Sequence, residues 1–299
     1  MVMLRVLITG AEGQLGQALM ANQPDNIEFI GCSKAELDIT NINQIEKIFL
    51  SKKPHIVINC AAYTAVDKAE QDEEQAYLVN EQGVKNLAKV CKRKNIKVIH
   101  LSTDYVFSGK QAVPYTANDC PQPINVYGQS KLAGEHALQL LGNNGLIIRS
   151  SWLISTYGHN FFNTILSALK NNQELQIVDD QYGTPTNADQ LAAWIIATLP
   201  LFWHGTLTGI YHAAAATSCS WYQLAQEIRR VALEQQLLAH SATLTAISSA
   251  AFKQQKSYAV APRPDNSALC PKQFLEAVNL PSMSWQAMVK ECFNHQCIK

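Results

Sequence analysis

The sequence predicts an α/β fold, a Rossmann-like doubly wound parallel sheet followed by a smaller C-terminal domain. Three observations predict it. Short continuous apolar runs alternate with helical stretches through the first half, the pattern of a parallel sheet covered on both faces. The first run ends in a glycine turn that opens a helix. After Arg149 the alternation loosens and prolines gather at 262, 264 and 271, which marks a second, less regular unit.

The elements follow in order. Residues 4–9 (LRVLIT) form the first strand and 13–21 the first helix. Residues 27–31 are a second strand. Thr40 or Asn41 caps a helix through 52, with Ile42, Ile45, Ile48 and Phe49 on one stripe. Residues 55–59 (HIVIN) are the third strand. A long helix is expected over 72–94, with Tyr77, Leu78, Val84, Leu87 and Val90 turned inward. Residues 97–101 (KVIHL) and 146–149 are the fourth and fifth strands, separated by a helix over 127–141. Beyond them the pattern predicts a helix over 161–170, a loop over 179–186 and a helix ending at Pro200, capped by Thr186 or Asn187. A strand over 209–213 and helices over 221–234 and 284–294 complete it.

Composition narrows the class. Lys+Arg and Asp+Glu are both 24, so the net charge is zero. Neither a basic excess nor a basic stripe is visible, which argues against a nucleic-acid partner. No apolar run reaches the length of a membrane span. The first ten residues lack the basic head and cleavage site of a signal peptide, so a cytoplasmic protein is expected. Eight cysteines form no CxxC pair; Cys32 and Cys60 read as buried small hydrophobes. The tail Cys292-Phe-Asn-His295-Gln-Cys297 offers three ligands at a spacing unlike structural zinc sites, so no metal is expected.

The turn Gly10-Ala-Glu-Gly13-Gln-Leu-Gly16 is GxxGxxG. Glycines permit positive φ and let backbone N–H groups approach a pyrophosphate at a helix N-terminus. Directly after an N-terminal strand, the turn predicts dinucleotide binding. Residues 1–150 are then the NADP-binding domain and 151–299 mainly the substrate-binding one, with the chain returning to the first around 175–205. The residues after the second strand choose the cofactor. An acid there would bond a ribose 2′-hydroxyl and repel a 2′-phosphate. Gly31-Cys32-Ser33-Lys34 stands there instead, with a donor in Ser33 and a charge in Lys34. NADPH is favoured, with NADH as the other option; the plain alternative for Lys34 is a solvated surface lysine.

Tyr127-Gly-Gln-Ser-Lys131 opens a helix, and positions i and i+4 share a face. A nearby ammonium favours the phenolate and tunes a tyrosine toward acid–base work on a carbonyl or alcohol. Lys131 is also placed to bind the cofactor ribose. Upstream, Ser102-Thr103-Asp104 closes the fourth strand, where ligands bind in such sheets. Ser102 is a candidate cofactor contact, and Thr103 can hold a substrate oxygen beside Tyr127. Trp152, after the fifth strand, is either an exposed ring for substrate or a core tryptophan.

These residues together resemble the extended short-chain dehydrogenase/reductase superfamily, and within it the dTDP-4-dehydrorhamnose reductase family. LITGAEGQLG, ELDIT, NCAAYTAVDKAE, STDYVF, NVYGQSKLAGE, RSSW, DDQYGTPT and RPDNSAL carry the resemblance across essentially the whole chain. It implies an NADPH-dependent reduction of the C4 ketone of dTDP-4-dehydro-β-L-rhamnose, acting on a small dTDP-sugar. It implies that Gly10, Gly13, Gln14, Leu15 and Gly16 hold the pyrophosphate, that Asp38 and Ile39 flank the adenine, and that Ala61, Ala62 and Tyr63 line the nicotinamide. Thr103, Tyr127 and Lys131 become the catalytic trio, and Asp104, Trp152 and Arg263 substrate contacts. Two positions depart from the family pattern. Ala268 stands where an arginine often follows RPxNS, so one nucleotide-phosphate contact is either missing or supplied by Arg263. Ala18 stands where some members carry a glutamate for a magnesium-bridged dimer, so a monomer or an ordinary homodimer is expected. The rival readings are another sugar-nucleotide epimerase, dehydratase or reductase of the superfamily, and a non-catalytic NADP-binding regulatory subunit.

Overall fold

The computed structural model describes residues 3–139, 141–238, 242–256 and 258–296. Among these, six parallel strands form one sheet: β1 (Leu4–Thr9), β2 (Ile27–Cys32), β3 (Ile56–Asn59), β4 (Lys97–Thr103), β5 (Gly145–Ser150) and, from much later in the chain, β7 (Gly209–His212). Their spatial order is β7-β5-β4-β3-β1-β2. Side chains alternate across each strand. Val6, Ile8, Ile56, Ile58, Ile99, Leu146 and Ile148 feed one core. Leu7, Val57, Val98 and Ile147 feed another on the opposite face. Continuous apolar runs are what a strand buried on both faces requires.

The helices cover both faces. Helices α1 (Gln14–Ala21) and α7 (Ala188–Trp203) pack together on the first, and α2 (Ile42–Lys52), α4 (Val84–Lys94) and α5 (Val126–Gln139) cover the second. Asn41 caps α2 by accepting from the N–H groups of Asn43 and Gln44. Asn187 caps α7, which continues past Pro200 to Trp203 instead of ending there. The last turn tolerates the missing N–H because the bend has little helix left to disturb.

The helix expected over 72–94 is broken. It starts as α3 (Glu73–Tyr77), passes through a π-helical stretch (Leu78–Gly83) and resumes as α4. A wider turn rotates the buried stripe. Leu78 therefore faces outward, at 39% exposure, and Tyr77 is only half-buried, while Asn80 and Gly83 turn in. Val84, Leu87 and Val90 are buried as the period predicts.

The smaller lobe is built from α6 (Phe161–Lys170), α8 (Trp221–Glu234), α9 (Ser249–Gln254), α10 (Lys272–Val278) and α11 (Trp285–Gln296). A parallel pair joins β6 (Leu175–Val178) to β8 (Leu244–Ile247). Ser220 and Gln223 close a capping box at α8. Cys32 is buried and Cys60 half-buried. Cys292 is buried, its sulfur accepting from Asn187 Nδ2 at 3.1 Å; Cys297 and the His295 side chain lie outside the described residues. No helix among the described residues is long and apolar enough to cross a membrane.

Candidate active site

The carboxyl edge of the sheet gathers the residues singled out above, as open parallel sheets do. At β1, Gly10 takes φ +62°, and a Cβ there would lie 2.9 Å from the Ala61 nitrogen. A Cβ on Gly16 would lie 2.4 Å from the Gly10 oxygen. The turn is thus closed against β3 and against its own helix by missing side chains. Gly13 is the N-cap of α1, with no side-chain cap and no acid in the first turn. The helix presents open N–H groups there, an anion site in form. Leu15 is buried in the core, so only its backbone is free for a ligand. Gln14 Oε1 accepts from Ser155 Oγ at 2.9 Å, which joins the turn to the second half of the chain.

The edge after β2 differs from its sequence reading. Glu36 folds back on Ser33, its Oε2 accepting from the Ser33 N–H and hydroxyl, both at 2.8 Å. Those two bonds hold the Glu36 carboxyl below its ordinary pKa. Ser33 is therefore not a free donor, while Lys34 is exposed. Asp38 Oδ1 accepts from Thr40 N and Oγ1. Ile39 is buried against Gly83, so its side chain belongs to the core and not to an adenine face.

After β3, the half-buried Ala61, Ala62 and Tyr63 line the neighbouring edge. Asn80, brought in by the π turn, accepts from Tyr63 N at 2.9 Å. It donates to Tyr63 O and to Ser130 Oγ, both at 3.0 Å. This one amide ties the Tyr63 loop to α5.

Strand β4 runs to Thr103, whose hydroxyl donates to Asp104 Oδ1 at 3.1 Å and accepts from Tyr105 N at 3.2 Å. Ser102 points elsewhere. Its hydroxyl is spent on Glu135, which also holds Arg149 in a buried ion pair at 2.6 Å. As a strand neighbour of Thr103, Ser102 faces the opposite side of the sheet, so its side chain is no cofactor contact. Burial pushes the Asp104 carboxyl up to about 6, although the Thr103 hydroxyl it accepts from favours its charge. Asp104 Oδ2 and Ser151 Oγ are buried without a hydrogen-bond partner among the described residues.

Tyr127 and Lys131 lie on α5. Burial, with Asp104 adding to it, pushes the Tyr127 phenol up to about 12, although the nearby Thr103 hydroxyl pulls the other way. Tyr105 packs edge-on against its ring, centroids 5.8 Å apart. The lowering of Tyr127 by the Lys131 charge is not what this arrangement gives. Lys131 donates to the Leu101 carbonyl at 2.6 Å and faces His100 Nε2 at 3.4 Å. Burial brings its ammonium down to about 8, although Glu135 and Cys60 favour the charge. Between the two, a Cβ on Gly128 would lie 2.1 Å from the Tyr105 oxygen.

Trp152 adopts φ +45°, a left-handed backbone costly for a bulky residue. Its indole is stacked on Trp221, centroids 3.4 Å apart. A Cβ on Gly183 would lie 2.3 Å from its Cε2. Both faces are covered, so an exposed ring stacking on substrate is corrected to a ring that offers only an edge. Trp221, which sequence reasoning missed, lines a cavity of about 420 Å³ with Phe161, Ile177, Phe252, Lys253 and Arg263. Arg263 is not free either: Asp67 takes both its terminal nitrogens. Ala268 is buried, its carbonyl accepting from Tyr115 N.

Known proteins match the chain nearly end to end. The family model described as RmlD substrate binding domain matches residues 4–297. A dTDP-4-dehydrorhamnose reductase of Aggregatibacter actinomycetemcomitans is 38% identical over 292 residues, 96% of this chain and 98% of that protein. A dTDP-4-keto-6-deoxy-D-glucose reductase of Streptomyces niveus is 39% identical over 228 residues, 74% of this chain and 76% of that protein. The crystal structure of a Bacillus anthracis dTDP-4-dehydrorhamnose reductase in complex with NADP superposes with a TM-score of 0.88 at 35% identity, covering 98% of this chain and 100% of that one. Matched over nearly its full length in sequence and in fold, this chain belongs to the dTDP-4-dehydrorhamnose reductase family.

Proposed function

We propose that this protein reduces the C4 ketone of dTDP-4-dehydro-β-L-rhamnose with NADPH, giving dTDP-L-rhamnose. The observation that carries the reading is Thr103 at the carboxyl end of β4, with Tyr127 packed edge-on against Tyr105 two residues further on and Lys131 one turn along the helix of Tyr127. NADPH fits the glycine turn: Gly10 and Gly16 leave room that a Cβ would fill, and the N-terminus of α1 is open. Bound there, the reduced nicotinamide supplies the hydride that the ketone carbon accepts.

The chain's own groups do the rest. Thr103 turns its one hydroxyl hydrogen from Asp104 to the ketone oxygen and orients it. Tyr127, neutral at physiological pH, gives its proton to that oxygen as negative charge develops. Lys131 holds the cofactor ribose. Asp104, with an unpartnered buried oxygen, accepts from a sugar hydroxyl. The cavity beside Trp221 and Phe161 receives the thymidine end, with Lys253 as its free cation and Arg263, held by Asp67, as part of its wall. Residues 151–299 supply most of this substrate lobe, and a water-soluble nucleotide-sugar substrate supports a cytoplasmic reaction.

The test is NADPH oxidation with a panel of dTDP-4-keto sugars. Turnover of the L-rhamnose precursor above that of dTDP-4-keto-6-deoxy-D-glucose is expected. Equal or reversed preference overturns the substrate assignment. Product formation without net NADPH consumption overturns the reductase.

A further inference from the structure

Lys131 is 2% exposed and sits on a buried polar chain that the reaction as derived leaves unused. One ammonium N–H donates to Leu101 O, and a second faces His100 Nε2. His100 is fully buried. Its Nδ1 lies 2.9 Å from the side-chain amide of Asn59, which lies 2.6 Å from Thr9 Oγ1. Thr9 Oγ1 accepts from the Ala61 N–H at 3.3 Å, beside Gly10. Three strands, β1, β3 and β4, thus each contribute a side chain to a line that starts at Lys131.

We propose that His100 is a positioning residue for Lys131: its uncharged imidazole accepts one ammonium N–H, so that with Leu101 O taking another, the third is left for the cofactor ribose. This rests on the reading of Lys131 as the ribose-holding group. An ammonium has three donors and no acceptor. His100 Nε2 can accept only if Nδ1 carries the hydrogen, and Nδ1–H then needs the oxygen of the Asn59 amide. A half-turn of that amide exchanges its oxygen and nitrogen in nearly the same space. The nitrogen then donates to Thr9 Oγ1. In the unturned amide, Nδ1 accepts from Asn59 and Nε2–H points at Lys131, which suits the neutral amine. His100 and Asn59 therefore serve both charge states of Lys131, each with its own orientation.

The surroundings leave this role to His100. Burial and the neighbouring Lys131 charge hold His100 well below its ordinary pKa, so it stays uncharged. Glu135, on the same helix, is spent on Arg149 and Ser102. Cys60, after β3, is pushed up to about 12 by burial. Tyr127 is pushed up to about 12 and Asp104 to about 6, and these two face Thr103.

The experiment follows NADPH affinity by cofactor fluorescence from pH 6 to 9.5, without substrate. Wild type is expected to bind more weakly above about pH 8, where Lys131 loses its proton. His100→Asn keeps a partner for Asn59 but none for Lys131. It should weaken NADPH about tenfold at neutral pH and move the alkaline fall about one unit lower. His100→Gln, whose amide oxygen reaches as far as Nε2, should restore affinity to within about threefold. Asn59→Asp offers only acceptors to His100, so it should keep Nε2 an acceptor and move the fall higher, a shift no loss of structure produces. Equal behaviour of the Asn and Gln variants, or an unmoved alkaline fall in both His100→Asn and Asn59→Asp, overturns the proposal. Lys131→Met separates the two readings. If it binds NADPH as wild type does, the ribose assignment itself fails. If it weakens binding while the His100 variants match wild type, only the role of His100 fails.

Discussion

Arg263 and Asp67 face each other squarely: Nη1 lies 2.9 Å from Oδ1, and Nη2 lies 3.0 Å from Oδ2. The pair ties the 260s segment to the loop after β3. Asp67 Oδ1 also accepts from the Ala261 N–H, and Asn125 Nδ2 donates to Pro262 O. Burial raises the Asp67 carboxyl, but the bonds from Arg263 and Ala261 outweigh it and hold it below its ordinary pKa. A carboxyl depressed in the folded state adds stability above its unfolded pKa, lost as the pH falls through the folded value. Acid melts should show that loss in wild type and not in Asp67→Asn. Both side chains keep some solvent, so the neutral-pH cost is at most about 1 kcal/mol. The larger effect is expected on KM for the sugar nucleotide, since the segment forms one wall of the cavity. A KM within twofold of wild type would show that the tie does not shape the wall.

Tyr127→Phe removes the proton donor and keeps the ring. General acid catalysis contributes about 10²–10⁴-fold, so kcat should fall by that factor, roughly 3–5 kcal/mol of barrier. NADPH binding should survive, because the glycine turn and Lys131 remain. Single-turnover reduction followed at 340 nm measures the first and fluorescence titration the second. Near wild-type turnover in the variant would remove Tyr127 from the acid's role.

Glu36 bears on the choice between NADPH and NADH. Its carboxylate occupies both donors of Ser33, where a 2′-phosphate would need them. Glu36→Gln should raise the ratio of kcat/KM for NADPH over NADH by about fivefold, the worth of one charge-assisted bond. Lys34→Asp should lower it. Ratios that stay at the wild-type value in both variants would mean that this turn does not read the 2′ position.

Trp221→Ala opens the cavity wall and uncovers one face of Trp152. A tenfold rise in KM for the sugar nucleotide is expected, with stability lower by about 1–3 kcal/mol. Trp221→Phe should recover most of both, because it keeps a ring against Trp152. A stability loss in Trp221→Ala with KM unchanged would assign Trp221 to packing alone.

Much of this site was legible in the sequence, and the gaps have physical causes. The strands announce themselves because burial on both faces demands unbroken apolar runs; the glycine turn and Thr103 fall where two of those runs end, and Tyr127 and Lys131 share one face of the helix that follows. The π turn at Leu78–Gly83 was not legible, since one widened turn rotates a face without any mark in composition. His100 reads as one more strand residue in KVIHL; only the fold shows what lies behind it. Arg263, Ser33 and Ser102 were visible as donors, but a sequence does not show that Asp67, Glu36 and Glu135 already hold them. Trp221 sits some seventy residues from the ring it stacks on, a partnership no local spacing encodes.

The contact at Gly128 has a consequence for how the chain can vary. The tyrosine-to-lysine spacing looks like two fixed letters around three free ones. The first of those three is closed, because any side chain at 128 would enter the Tyr105 carbonyl at 2.1 Å. The second, Gln129, is exposed and open to replacement. The third, Ser130, is held by Asn80 and by the Tyr127 carbonyl. A randomised library across these three positions should therefore return diversity at the middle one alone, and the distance between acid and ammonium is inherited from a backbone that leaves no room for a methyl group.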